Sequence, residues 1–204
     1  SKQLPLVLST GMADFDEVRR AVEIIESAGN SRILLLHCVS LYPTPIEKVN
    51  LNNILGLREL FPDYPIGFSD HTLGDTAAVA AVAMGAAVLE KHITLDARRI
   101  GMDNQMAMEP EALCAYVSKC RSIPAALGSR QRVVQPEELK QRENMRRSVV
   151  VTRDLAAGEV LRAEDLDVKR PGSGFTPEQL PTLIGRRTAR AVEGDTILTQ
   201  EDLV

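Results

Sequence analysis

Two histidines, His71 and His92, each close a short apolar run: Ile66-Gly67-Phe68-Ser69-Asp70-His71 and Ala87-Val88-Leu89-Glu90-Lys91-His92. Imidazole is a common ligand for Zn, Mn or Fe, and two that converge can hold an ion between them. Spacing alone leaves a second reading open, two unrelated histidines with satisfied hydrogen bonds, because such pairs recur by chance. Serines close the apolar runs in the same way, at Ser9, Ser40 and Ser69. Taken singly, each serine is better explained as a turn or helix cap. Four polar run ends together suggest a rim of hydroxyls and imidazoles suited to an oxyanion such as phosphate or carboxylate.

The elements that must position this rim alternate. Between the two histidine runs lies an alanine-rich segment, 76–86, of strong helix formers, which makes a β-α-β unit. Strands of such a unit run parallel and usually adjacent, so their carboxyl ends open on one face, where α/β folds carry ligands. Upstream, Leu4 to Leu8 reads as a strand. Asp14 with Glu17 opens a helix in the manner of a capping box, and Gly29 stops it. Ile33 to Leu36 is the next strand. The two prolines of Leu41-Tyr42-Pro43-Thr44-Pro45 require a loop, and a helix follows from about 51 to 61. The pattern is α/β, four consecutive βα units of a parallel sheet.

After His92 the chain turns polar through residues 96–106, and Pro110 opens a helix to about Arg121 with Leu113, Tyr116, Val117 and Cys120 on one face. The charged stretch 128–146 lacks apolar periodicity and reads as a linker between residues 1–127 and a module at 147–204. That module is a set of short strands and turns in which Asp-Leu recurs, at Asp154-Leu155, Asp165-Leu166 and Asp202-Leu203.

Over 204 residues, 44% hydrophobic and 25% charged is ordinary for a soluble globular protein. The net charge of -4 and the absence of a basic, aromatic-rich cluster argue against nucleic acid. No apolar run reaches membrane-spanning length and no signal pattern opens the sequence, so no membrane partner is expected. Three cysteines without a C-x-x-C pair read as reduced thiols of a cytoplasmic protein.

Several motifs together resemble the sialic acid synthases: Leu8-Ser9-Thr10-Gly11-Met12, His37 through Pro45, Gly67-Phe68-Ser69-Asp70-His71-Thr72 and Glu90-Lys91-His92-Ile93-Thr94. The tail resembles the family's antifreeze-like (SAF) module at Ser148-Val149-Val150, Gly158-Glu159 and Lys169-Arg170-Pro171-Gly172. The resemblance covers nearly the whole chain in order. It implies the second half of a (β/α)8 TIM barrel followed by a small, mostly-β SAF domain. Four strands cannot close a barrel, so the isolated chain is expected to be incomplete and inactive alone.

The implied reaction condenses phosphoenolpyruvate with an N-acylated hexosamine, N-acetylmannosamine-like, to a nonulosonic acid and phosphate. His71 and His92 match the histidines that bind a divalent metal, Mn or Mg. Ser9, Ser40 and Ser69 match positions lining the phosphoenolpyruvate phosphate; Tyr42 and Asp103 match contacts to the acceptor sugar. Arg170 matches an arginine that the SAF domain of one subunit carries into its partner's active site, which implies a homodimer. Asn104-Gln105-Met106-Ala107 departs from the family's common loop and points to a different acceptor sugar. The alternative is a non-catalytic module that binds sugar or phosphate.

Overall fold

The computed structural model describes residues 4–101 and 103–204, in two compact units, Ser1–Ser129 and Arg130–Val204. In the first, β1 (Leu6–Ser9), α1 (Phe15–Ser27), β2 (Ile33–Cys38), α2 (Asn52–Leu60), β3 (Ile66–Asp70), α3 (Thr76–Ala83), β4 (Leu89–Lys91) and α4 (Pro110–Leu127) follow in order. The strands form one parallel sheet in sequence order, with Ser9 opposite Leu36, Cys38 opposite Ser69, and Asp70 opposite Lys91.

Local chemistry accounts for the boundaries. The Asp14 carboxylate accepts the Glu17 N–H (2.8 Å), and the Glu17 carboxylate accepts the Asp14 N–H (2.9 Å), satisfying donors that the first turn of α1 leaves bare. Gly29, at φ +82°, follows the end of that helix in a conformation that costs glycine nothing. Side chains alternate across a strand, so Ile33, Leu35, Ile66, Phe68 and Leu89 face Val18, Val22, Ile54, Leu57, Ala77 and Ala81 of the helices. The opposite face carries Val7, Leu34, Leu36, Gly67, Ser69 and Glu90, and Val7 lies open to solvent. Among the described residues no helix is long and apolar enough to cross a membrane.

The second unit differs from expectation at its start. Residues 128–146 read as a linker, yet Pro136–Met145 forms α5. Pro136 stands at the first helical position, Glu137 and Glu138 occupy the first turn, and Gln135 with Glu138 completes a capping box. Every residue of α5 is exposed, so its end chemistry fixes it where apolar periodicity could not. Helix α4 likewise continues past Arg121 to Leu127, carrying Pro124 within it.

Beyond α5, β5 (Ser148–Val151) pairs antiparallel with β6 (Leu166–Lys169). Isolated bridges join much of the remainder, and Val149, Val151, Leu161, Leu183 and Leu198 form the core. The recurring Asp-Leu has a structural meaning. Arg153 binds Asp165 and Arg190 binds Asp202, each pair twelve residues apart. Leu155 and Val192 exchange N–H···O bonds of 2.8 and 3.0 Å between the two halves, so the module is a doubled motif around that contact.

Candidate functional site

The carboxyl ends of β2, β3 and β4 bring three rings together. The His71 and His92 centroids lie 5.2 Å apart with planes at 64°. The Tyr42 ring sits 4.3 Å from His71 and 6.0 Å from His92. The loop after β2 is pinned to the end of β3, because the Thr44 N–H donates to the His71 carbonyl (2.9 Å) and the Thr44 hydroxyl to the Leu41 carbonyl (2.8 Å). His71 Nδ1 lies 2.9 Å from the Val39 carbonyl, with Cys38 Sγ 3.9 Å from the same nitrogen. A carbonyl only accepts, so Nδ1 carries the proton and the Nε2 lone pair is left to ligate. Metal-binding histidines are commonly oriented by such a bond.

His92 is held from the other side. The Met108 N–H donates to the His92 carbonyl and the Thr94 N–H to the Met108 carbonyl, both at 2.9 Å. The chain between them returns Asp103 to within 3.8 Å of His92 Nδ1, too far for a hydrogen bond. Tyr42, His71, His92 and Asp103 therefore share one rim.

The serines do not behave alike. Ser69 is buried and its hydroxyl donates to Glu90 Oε1 at 2.6 Å, so a carboxylate occupies the group matched to phosphate. Ser40 packs against Gly11; a Cβ there would run into Ser40 Oγ, so glycine lets the loop after β1 approach. Ser9 is exposed, while its neighbour Thr10 is buried and donates to the Leu36 carbonyl at 2.9 Å. Arg170 lies in the second unit, exposed, with Nε donating to the Met145 carbonyl at 3.1 Å.

On the helix side of the same strand ends lies a polar group that apolar periodicity does not reveal. Asp70 is fully buried, and Lys91 Nζ sits 3.1 Å from its Oδ2. The Tyr116 hydroxyl of α4 donates to the same oxygen at 3.3 Å, while the Thr72 N–H and hydroxyl donate to Oδ1 at 2.9 and 2.7 Å. Burial, then the Asp70 charge, push the Tyr116 phenol far above its usual range. The signal was available. An acid precedes one histidine and a base precedes the other, and strand alternation turns both away from the rings.

Among the described residues no group of three or more His, Cys, Asp or Glu could hold a metal ion. The two imidazoles, 5.2 Å apart with His71 Nδ1 taken up by a carbonyl, are donors of the type a divalent cation accepts.

The family described as NeuB matches residues 1–132, and the SAF domain matches residues 146–204. The chain belongs to the NeuB family. The N,N'-diacetyllegionaminic acid synthase of Legionella pneumophila is 39% identical over 207 residues, covering 100% of this chain and 58% of its own length. The human N-acetylneuraminate-9-phosphate synthase is 37% identical, covering 98% of this chain and 56% of its own. A crystal structure of the Bacillus subtilis spore coat polysaccharide biosynthesis protein aligns over 99% of this chain and 62% of its own, at 32% identity and TM-score 0.59. The chain thus spans less than two thirds of these relatives. The NeuB match contains the three-ring cluster, Asp103 and the buried Asp70–Lys91 pair; the SAF match contains Arg170.

Proposed function

We propose that the chain belongs to a nonulosonic acid synthase that joins phosphoenolpyruvate to an N-acylated hexosamine, with N-acetylmannosamine the model acceptor, and releases phosphate. The observation that carries this is the paired imidazoles, with His71 Nδ1 committed to the Val39 carbonyl and Nε2 left to ligate. Membership of the NeuB family, and relatives named as legionaminate and neuraminate synthases, support the chemistry. In this reading the sheet is the second half of a (β/α)8 barrel and the chain works as part of a longer cytoplasmic polypeptide.

A bond forms between phosphoenolpyruvate C3 and the sugar aldehyde carbon, water adds at C2, and phosphate leaves. His71 and His92 would hold a divalent ion, Mn or Mg, which when bound supplies Lewis-acid polarisation of the aldehyde. Tyr42, tilted at 35° against the His71 ring, provides an aromatic wall for the sugar, and Asp103 accepts from a sugar hydroxyl. Ser9 and Ser40 offer hydroxyl donors to the phosphate; Ser69 reaches it only by releasing Glu90. Arg170 reaches the active site of a partner subunit in a homodimer.

The test is phosphate release with Mn, phosphoenolpyruvate and N-acetylmannosamine, or its N-acyl relatives, by the longer polypeptide and its His71→Ala form. Turnover that falls to background in His71→Ala is expected. Binding of substrates without turnover in the unsubstituted protein would leave only a sugar- or phosphate-binding module.

A further inference from the structure

We infer that the buried knot of Asp70, Lys91, Tyr116 and Thr72 sets the spacing and tilt of the His71 and His92 rings, making Asp70, Lys91 and Tyr116 positioning residues. The inference rests on the reading of the imidazoles as a ligand pair.

Strand β4 has three residues and meets β3 through three register pairs, Phe68–Leu89, Ser69–Glu90 and Asp70–Lys91. So short a strand is weakly specified by backbone bonding alone. The last register pair is also the buried charge pair, with side-chain exposures of 0% for Asp70 and 3% for Lys91. Lys91 Nζ donates to the Thr72 carbonyl as well. His71 is therefore bracketed by two residues that the knot fixes, and His92 follows directly on a third. A slip of β4 by one residue would turn Lys91 to the other face and strand the Asp70 carboxylate without its charge partner. Tyr116 brings α4 into the same knot.

Stability alone does not explain the arrangement. Apolar residues of similar volume usually hold a core at least as well as a buried ion pair. The pair supplies register, and register decides which way the adjacent rings point.

The experiment uses Lys91→Met and Tyr116→Phe, the latter removing a single hydroxyl, with Arg190→Met in the second unit as control. Ring resonances of labelled histidine, inter-ring His71–His92 contacts in NMR spectra, and Mn(II) affinity by EPR titration are read for each. In Lys91→Met the ring signals shift and Mn(II) binds roughly 10–100-fold more weakly, as for other supporting partners of ligating histidines. Tyr116→Phe moves the same signals in the same direction by less, and Arg190→Met moves neither. Ring signals that stay put in both knot variants overturn the inference; if Lys91→Met fails to fold, Tyr116→Phe decides alone. Equal Mn(II) uptake by the unsubstituted protein and His71→Ala removes the ligand reading, while the ring signals still judge the positioning.

Discussion

Asp202 and Arg190 form a pair whose two halves should contribute unequally to stability. The Asp202 carboxylate is buried; it accepts the Thr199 N–H and hydroxyl at 2.8 Å each, and Arg190 Nε and Nη2 at 2.9 and 2.7 Å. Arg190 is 66% exposed, so water can take its place, and an ion pair with so open a partner contributes about 1 kcal/mol or less. Each Thr199 bond to the buried charge contributes roughly 1.5 kcal/mol. Asp202→Ala should therefore cost about 3 kcal/mol and Arg190→Ala no more than about 1 kcal/mol. All three tyrosines lie in the first unit and the chain has no tryptophan, so fluorescence would miss the effect. Native-state hydrogen exchange at the Val149, Val151 and Leu198 amides, each bonded within the second unit's core, reads it directly. Burial pushes the Asp202 carboxyl up, but the Thr199 and Arg190 bonds outweigh it and hold the group below its ordinary 3.8. Its stabilisation is thus complete above that value and is lost as pH falls through the lower folded value. An Arg190→Ala cost equal to or above that of Asp202→Ala would refute the reasoning.

Three further outcomes concern the first unit. Burial holds the His37 imidazole below its ordinary 6.5, partly opposed by the bond to the Val49 carbonyl. The unfolded chain therefore binds a proton that the folded one refuses, and stability falls by up to about 1.4 kcal/mol per pH unit below 6.5. Urea unfolding followed by tyrosine fluorescence should show a shallower slope in His37→Gln; an unchanged slope would count against the assignment. Phe68 is buried and stacked on His37 at 5.7 Å, so Phe68→Ala should cost about 3–5 kcal/mol in the same assay. Ala81 has no exposed surface beneath the sheet, and Ala81→Leu should cost about 1–3 kcal/mol through overpacking; a neutral effect would mean that α3 can lift away.

The βα alternation was legible because parallel strands buried against helices read as apolar runs, and Asp14 with Glu17 announced α1 through chemistry confined to four residues. Helix α5 was not, since it is exposed all round and carries no apolar stripe; Pro136 and the glutamates were the available sign. The spacing of His71 and His92 suggested a shared face, and the rings do meet at 5.2 Å. Asp70 and Lys91 went unnoticed because charges at run ends look like solvated punctuation. Only the register places them opposite each other, and only the packing of α4 seals them. The Ser69–Glu90 bond was hidden for the same reason: it is a cross-strand contact between residues twenty-one apart.

Met108 ties the segment carrying Asp103 back onto His92 and Thr94, so that segment is anchored at its root. Insertions or exchanges between 96 and 106 would then redraw the outline of the rim at Asp103 while the imidazole beneath keeps its bearing. Variation in sequence and length has a natural place to accumulate there without disturbing the paired rings.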